Sequence, residues 1–145
     1  MKTAIYPGTF DPITYGHIDV IRKSLKIFDR VVVATTDNIN KNYHFSIEER
    51  LSIIKNSLFK DLRLNKNKIK VIPFDTLTIH LCKKYKSSVI IRGLRAVSDF
   101  EYEFQLAGMN KKLNTNIETM FLMSDIENQI ISSKFVKEIA KLNGN

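Results

Sequence analysis

The stretch Ala4–His17, AIYPGTFDPITYGH, decides how the rest of this sequence is read. It begins with a short apolar segment that ends at Tyr6 and is typical of a buried strand. A tight loop with two prolines follows, and Gly16 and His17 open a helix. The apolar residues of that helix recur three or four positions apart, at Ile18, Ile21, Leu25 and Phe28. The stretch therefore predicts a strand, a loop and a helix N-terminus close to the start of the chain.

A helix N-terminus of this kind suits a phosphate group. Its first N–H groups lack partners within the helix, and the positive end of the helix dipole points toward the loop. Gly8 has no Cβ and lets the backbone approach a ligand closely, Thr9 offers a hydroxyl, and His17 places an imidazole at the same helix start. The two common phosphate loops, G-x-G-x-x-G and G-x-x-x-x-G-K-[ST], are both absent after the strand.

Composition sets broad limits on the protein. The 145 residues suit one domain, 1–145, and 43% are hydrophobic, which is enough for a packed core. No apolar run reaches the length of a membrane span and no signal peptide is visible. A single cysteine, Cys82, excludes a disulfide within the chain and favours the cytoplasm. The net charge of +8 suits anionic ligands. The lysines are scattered, without the basic helix face or aromatic motif of a nucleic-acid-binding module.

Strand-like and helix-like patterns alternate along the whole chain. Ser46 and Glu49 form an S-x-x-E capping box before one of the helices. The predicted strands lie at Ala4–Tyr6, Arg30–Thr35, Lys68–Phe74, Val89–Ile91 and Ile117–Met123. This alternation predicts an α/β fold: a Rossmann-like, doubly wound, five-stranded parallel sheet with helices on both faces. The loops that follow the strands can then converge on one crevice at the carboxyl ends of the strands.

Three further segments carry residues suited to phosphate. Arg92 and Arg95 follow a buried strand and offer planar donors, or else form surface ion pairs with nearby acids, namely Asp99, Glu101 or Glu103. Lys41 lies in a polar loop, where a lysine is ordinarily only solvated. Ser132 and Ser133 precede the last helix and are suited either to phosphate binding or to plain N-capping.

Several motifs resemble one family. TYGH at Thr14–His17 is similar to the [HT]-x-G-H signature of the nucleotidyltransferase superfamily. The longer runs resemble bacterial phosphopantetheine adenylyltransferases: YPGTFDPITYGH from Tyr6, RGLRAVSDFEYE at Arg92–Glu103, and the pattern K-x-x-x-[FY]-[ST]-x-E-E-R from Lys41 to Arg50. ISS at residues 131–133 resembles a segment that cradles the triphosphate in that family, where a small hydroxyl residue follows instead of Lys134. The resemblance covers about residues 3–140.

The resemblance implies an activity and a set of site residues. The reaction transfers the adenylyl group of ATP to 4′-phosphopantetheine and gives 3′-dephospho-coenzyme A and pyrophosphate, the penultimate step of coenzyme A biosynthesis. The implied catalytic residues are His17, which stabilises the transition state, with Thr9, Lys41 and Arg92. The implied ATP site comprises Thr9, Phe10, His17, Arg92, Gly93, Leu94, Arg95, Glu103, Asn128, Gln129, Ile130, Ile131, Ser132 and Ser133. The implied substrate site comprises Thr9, Lys41, Thr78, Arg92 and Asn110.

The resemblance also implies binding partners, and three alternative functional classes stand beside it. Mg²⁺ is expected to arrive with ATP, and no metal site is expected from the protein itself because the histidines lack ligand spacing. Dephospho-coenzyme A, coenzyme A as a feedback ligand and a homohexamer are further expectations, with no nucleic acid and no membrane. The rivals are a nicotinamide-nucleotide adenylyltransferase or cytidylyltransferase, a basic nucleic-acid-binding module, and an inactive relative. The family often has proline where this chain has Ser124, and it usually continues beyond a point matching Asn145.

Overall fold

The computed structural model describes residues 2–38, 40–94, 97–124 and 138–142, with residues 97–99 described by their backbone alone. Five strands lie at β1 (Thr3–Gly8), β2 (Arg30–Thr36), β3 (Ile69–Phe74), β4 (Val89–Leu94) and β5 (Glu118–Met123). The helices are α1 (Tyr15–Leu25), α2 (Ile47–Lys55), α3 (Thr78–Lys84) and α4 (Val97–Leu113), and α2 runs on into a π-helical segment, Asn56–Asp61. Residues 138–141 are also helical.

The five strands form one parallel sheet in the order β3-β2-β1-β4-β5. This confirms the predicted Rossmann-like α/β fold. Successive strands extend outward from β1 to β3 on one side, and the chain then returns to place β4 on the other side of β1. The strand order therefore reverses between β1 and β4, which is where ligands bind in open α/β sheets.

Each face of the sheet carries its own apolar core. Tyr6 and Val33 pack on one face with α1, α2 and the π-helical segment. Ile5 and Val32 pack on the opposite face with Leu81 of α3. Neighbouring residues of a strand point to opposite faces, so a strand covered on both sides is apolar at every position. This explains why β1 and β2 read as nearly unbroken apolar runs.

The boundaries differ from the sequence predictions by a few residues, for local reasons. α1 begins at Tyr15 because Thr14 is its N-cap. The capping box of Ser46 and Glu49 is confirmed at the start of α2. β4 continues beyond Ile91 through Leu94, because it pairs with β5 to its end. Residues 125–137, which include Val136 at the predicted start of the last helix, lie outside the described residues.

Two helices, α1 and α4, pack on the sheet next to the strands that carry the site. α1 follows β1 and packs on one face, with Val20 against Gly93 of β4. A Cβ at Gly93 would lie 3.1 Å from Cγ2 of Val20, so the glycine permits this close approach. α4 lies on the other face, where Phe100 contacts Phe121 of β5.

No helix in the described part of the chain is long and apolar enough to cross a membrane.

Candidate active site

The loops at the carboxyl edge of the sheet converge, as the sequence predicts. Nη1 of Arg92, on β4, donates to the carbonyl of Pro7 on β1 over 2.7 Å. The hydroxyl of Thr35, on β2, donates to the carbonyl of Thr9 over 2.8 Å. The ends of β2, β1 and β4 are thus joined by direct hydrogen bonds at the point where the strand order reverses.

His17 is held in one orientation by the start of its own helix. The backbone N–H of Thr14 donates to Nδ1 of His17 over 2.9 Å, and the Thr14 side chain accepts from the N–H of His17, which makes a capping box. Because Nδ1 accepts this bond, the proton of the neutral ring lies on Nε2. The imidazole therefore has its donor nitrogen fixed by the cap, and an N–H donor is what a phosphate oxygen requires.

The ring of Phe10 packs against the imidazole of His17. Its side chain is buried, with its ring 4.9 Å from the His17 ring in an edge-on arrangement. A Cβ at Gly8 would lie 3.0 Å from two atoms of the Phe10 ring. From the sequence, we interpreted the absence of a Cβ at Gly8 as room for a ligand to approach. In the structure, the ring of Phe10 occupies that space.

Arg92 and Glu103 form a two-point ion pair. Nε and Nη2 of Arg92 donate to the two carboxylate oxygens of Glu103, each over 2.7 Å. Burial alone lowers the pKa of Arg92, but the hydrogen bonds and charge of Glu103 outweigh it and the net direction is upward. Of the three acids near Arg92 in the sequence, Glu103 is its partner, and the pair is largely buried instead of lying at the surface. With Pro7 as well, these bonds use three of the five N–H groups of Arg92.

Asp11 ties the loop after β1 to the segment that carries Lys41. Its two carboxylate oxygens accept from the backbone N–H groups of His44 over 2.7 Å and of Phe45 over 2.9 Å. Lys41 is exposed, and its backbone N–H donates to the carbonyl of Asn38 over 3.1 Å. Asp11 is buried and was not among the predicted site residues. Its position inside the YPGTFDP motif was the signal for it.

Arg50 is the second site residue that the sequence analysis did not select. It is completely buried and donates to Thr9, Thr36 and Phe45 through their carbonyls. An arginine in the first turn of a helix is ordinarily exposed. A signal was present, however, because position 50 falls on the apolar stripe of α2, which is spaced i, i+3, i+4, i+7, namely Ile47, Arg50, Leu51 and Ile54.

The residues described above form one group, called the cluster here: Asp11, His17, Arg50, Arg92 and Glu103. The remaining predicted residues divide into three groups by their position relative to it. Thr9 is exposed beside the cluster, and Gly93 and Leu94 end β4 close to it. Thr78 begins α3 and Asn110 lies in the last third of α4, and neither side chain has a hydrogen bond to the cluster within the described ranges. The others lie outside the described residues: Arg95, Asn128, Gln129, Ile130, Ile131, Ser132 and Ser133.

The cluster is rich in cationic and N–H donors. Across the described segments, no three His, Cys, Asp or Glu residues are grouped as metal ligands. The two carboxylates in the cluster are engaged, with Asp11 on backbone N–H groups and Glu103 on Arg92. The arrangement can bind anions, orient them and stabilise added negative charge.

Comparison with known proteins agrees with this geometry. The sequence profile of the cytidylyltransferase-like family matches residues 5–139. The fold and the site therefore define a nucleotidyltransferase of the cytidylyltransferase-like family. A curated protein of Pelagibacter ubique, named phosphopantetheine adenylyltransferase, is 69% identical over 99% of this chain and 87% of its own length. One of Zymomonas mobilis with the same name is 49% identical over 98% of this chain and 80% of its own length. The chain belongs to the phosphopantetheine adenylyltransferase family.

Solved structures share the fold at low sequence identity. A bifunctional NMN adenylyltransferase/ADP ribose pyrophosphatase of Francisella tularensis superposes with a TM-score of 0.71 at 15% identity, over 99% of this chain and 42% of that one. A nicotinic acid mononucleotide adenylyltransferase of Plasmodium falciparum gives 0.68 at 17% identity, over 100% of this chain and 87% of that one. These likenesses concern the fold alone.

Proposed function

We propose that this chain transfers the adenylyl group of ATP to 4′-phosphopantetheine, with release of pyrophosphate and formation of 3′-dephospho-coenzyme A. The observation that carries this proposal is the 69% identity, over 99% of the chain, to a protein named for the activity. The geometry of the site supports it independently. Arg92 is bonded to Pro7 at the reversal of strand order, and Thr9 and His17 lie on the loop and helix that follow the same strand. A phosphate nucleophile is already anionic at neutral pH and needs no general base.

The chemistry is an in-line displacement at phosphorus. A phosphate oxygen of 4′-phosphopantetheine forms a bond to the α-phosphorus of ATP, and the bond from that phosphorus to the β-phosphate oxygen breaks. Nε2 of His17 donates to the α-phosphate and stabilises the negative charge that develops there. The fixed Nδ1 contact supports this role, because the donor nitrogen needs no reorganisation before the reaction.

The attacking phosphate is held by Lys41 and Arg92, with Thr9 orienting it. The two N–H groups of Arg92 that its bonds to Glu103 and Pro7 leave over can donate to phosphate oxygens. Arg95, Ser132 and Ser133 are proposed to hold the β- and γ-phosphates. Thr78 and Asn110 are proposed to contact the pantetheine arm, since α3 and α4 lie on one face of the sheet, and the remaining residues of the predicted ATP site keep their proposed role.

Mg²⁺ is proposed to arrive with the triphosphate, whose charge it neutralises when bound. The donors of the described site are cationic or N–H groups, and its carboxylates are already engaged by the protein. These residues do not fit a protein-held magnesium site, so no step is assigned to the ion. A homohexamer, a cytoplasmic location and feedback binding of coenzyme A stay predictions of the family resemblance.

The test is pyrophosphate release from ATP and Mg²⁺. Purified protein is assayed with 4′-phosphopantetheine, with nicotinamide mononucleotide, and with no acceptor. A His17→Asn variant, purified in the same way, reports contaminating activity. We expect release with 4′-phosphopantetheine alone, dependent on His17, with 3′-dephospho-coenzyme A identified by mass.

Each other outcome has a definite meaning. Release with nicotinamide mononucleotide would keep the chemistry of the site and discard the acceptor. Release without any acceptor would indicate hydrolysis of ATP. Absence of release with either acceptor would overturn the proposed function, and salt-dependent binding of RNA or DNA would then favour the nucleic-acid-binding rival.

A further inference from the structure

We propose that Arg50 is a positioning residue of this site, which places the attacking phosphate by fixing both the Thr9–Phe10 peptide and the segment that carries Lys41. This inference rests on the proposed function for the identity of the attacking group. Arg50 itself touches no reacting atom, since its side chain is completely buried.

The guanidinium of Arg50 joins the carboxyl ends of β1 and β2 to the start of α2. Nη1 donates to the carbonyl of Thr9 over 3.0 Å and to that of Thr36 over 2.7 Å. Nε donates to the carbonyl of Phe45 over 3.1 Å. Burying a charged side chain is unfavourable unless its donors are satisfied. Nε and Nη1 are satisfied in this way, whereas Nη2 makes no hydrogen bond within the described residues and lies 3.9 Å from a carboxylate oxygen of Asp37. An arginine kept buried at this cost and bonded to backbone carbonyls of three segments is placed to set their relative positions.

The first anchored element is the Thr9–Phe10 peptide. The carbonyl of Thr9 accepts from Arg50 and also from the hydroxyl of Thr35, over 2.8 Å. Phe10 has a φ of 47°, in the left-handed region that a bulky residue rarely adopts. Since φ of Phe10 describes rotation about the bond after this peptide, two donors on its carbonyl oxygen oppose relaxation. The backbone position from which the Thr9 side chain extends is consequently fixed.

The second anchored element is the segment around Lys41. Phe45 is held on both sides, because its carbonyl accepts from Arg50 and its N–H donates to Asp11 over 2.9 Å. The ring of Tyr43 lies 3.9 Å from the guanidinium of Arg50, and its hydroxyl accepts from the N–H of Asn38 over 3.0 Å. Lys41 therefore lies between residues 38 and 43, which are joined by the Tyr43 hydroxyl, and Arg50 packs against the Tyr43 ring.

The Arg50 network is separate from the contacts of Arg92. Arg92 is bonded to Pro7 and Glu103, whereas Arg50 is bonded to residues of the first two strand ends and the start of α2. A change in the Arg50 network should therefore affect the acceptor phosphate, which Lys41 is proposed to hold, more than the β- and γ-phosphates of ATP, which are assigned to residues outside this network. A merely structural role would lower stability and affect both substrates equally.

Two variants test the network, each with a matched control. Thr35→Val removes the hydroxyl that accepts from Nη1 of Arg50 over 3.1 Å and donates to Thr9, while it keeps the shape of the residue. Arg50→Lys keeps the charge and loses the fork-shaped donor set. Thr3→Val makes the first change at the opposite end of β1. Arg30→Lys makes the second at the start of β2, where the guanidinium lies 5.9 Å over the Tyr85 ring.

Initial rates are measured against each substrate with the other saturating. We expect kcat/KM for 4′-phosphopantetheine to fall about tenfold in Thr35→Val and by about a hundredfold in Arg50→Lys, on the scale of lost neutral and charged hydrogen bonds. The KM for ATP should change by less than about threefold, and both controls should stay within about twofold of the parent protein. An equal change in the KM values for ATP and for 4′-phosphopantetheine would overturn the proposal. So would kinetic constants in both variants that match those of the parent protein.

Amide hydrogen exchange gives a readout that needs no activity. Faster exchange at His44 and Phe45 in Thr35→Val, with no change in Thr3→Val, would support the positioning role. Unchanged exchange would overturn it. If the parent protein fails to use 4′-phosphopantetheine, the proposed function falls and the exchange result alone decides the positioning role. If Arg50→Lys does not fold, the kinetics and the amide exchange are both measured on Thr35→Val alone.

Discussion

The carboxylate of Glu103 accepts both of its hydrogen bonds from one side of the Arg92 guanidinium, through Nε and Nη2. This fixes the plane of the guanidinium relative to α4 and β4. Nη1 is left to bond the carbonyl of Pro7, where the strand order reverses. A residue assigned to ATP by family resemblance thus also orients the arginine assigned to the acceptor.

Replacing Glu103 by Gln should disorder Arg92 and weaken the fold. The amide keeps one acceptor and places an NH₂ group against a guanidinium, so a largely buried charge loses its partner. We expect the free energy of unfolding to fall by about 2–3 kcal/mol, within the range for hydrogen bonds to charged groups. The KM for 4′-phosphopantetheine should rise in parallel, and urea denaturation with steady-state kinetics measures both.

An exposed pair provides the matched control for this change. Lys111 and Glu118 also form an ion pair, but both side chains are solvated. Glu118→Gln should therefore alter the free energy of unfolding by less than about 1 kcal/mol. Equal effects of the two substitutions would contradict the importance of the Arg92 pair.

Two substitutions at His17 separate its structural and chemical roles. Asn can keep a δ acceptor for the N–H of Thr14 but has no ε nitrogen, whereas Gln offers an ε nitrogen and loses the δ acceptor. We expect His17→Asn to lower kcat by at least about a hundredfold, with ATP affinity much less affected. We expect His17→Gln to lower the free energy of unfolding by about 1 kcal/mol through the lost cap.

Turnover and ATP binding by calorimetry distinguish these outcomes. Near-normal kcat in His17→Asn would show that Nε2 does not stabilise the transition state. Unchanged stability in His17→Gln would show that the contact with Thr14 contributes little to the helix start.

Asp11→Asn should loosen the segment that carries Lys41. One amide oxygen cannot replace two carboxylate oxygens on the N–H groups of His44 and Phe45, and the new NH₂ group faces a donor. We expect the free energy of unfolding to fall by about 1–3 kcal/mol. Asp29→Asn is the control, because Asp29 accepts the N–H of Lys2 in an exposed position and its loss should matter little. Urea denaturation of both variants checks the difference.

Cys82 should be chemically inert in the folded protein. Burial raises the pKa of its thiol from 9.0 to about 11, although a backbone hydrogen bond lowers it in part. We expect alkylation by iodoacetamide at pH 8 to be at least about a hundredfold slower than in urea, because the thiolate is the reactive form. Fast alkylation of the folded protein would contradict this burial.

The same shift predicts how stability depends on pH. Above the unfolded pKa the unfolded thiol ionises while the folded one stays neutral, so the free energy of unfolding falls as the pH rises from 9.0 to about 11. Below that interval the contribution is fully present. Cys82→Ala should lack this component of the alkaline slope, which urea titrations at several pH values would show.

Much of the fold could be predicted because its signals are local. β2 is a run of mostly β-branched residues, as expected of a parallel strand covered on both faces, and Ser46 and Glu49 mark a helix start by their spacing alone. The position of His17 at a helix start followed from the glycine before it and the apolar spacing after it. The ion pair of Arg92 could be named only as one of several alternatives, since three acids lay within reach along the sequence.

The supporting contacts could not be predicted because they join distant segments. Arg50 lies 41 positions from Thr9, and Asp11 lies 33 positions from His44. Local patterns cannot show that a charged side chain is buried, because burial depends on which loops the sheet brings together. The apolar spacing that includes position 50 was a signal, but a guanidinium there contradicts the usual preference for exposure.

The glycine at position 8 has a consequence for the imidazole of His17, which it does not contact directly. The ring of Phe10 occupies the volume that a side chain at Gly8 would take, and the imidazole of His17 packs edge-on against that ring. One methyl group at position 8 would require the Phe10 ring to shift by a few tenths of an ångström, which would alter its contact with the imidazole. The orientation of the nitrogen that we propose to act on the α-phosphate therefore depends on packing at Gly8 as well as on the contact with Thr14, so a change of side-chain volume alone could alter the chemistry of the site.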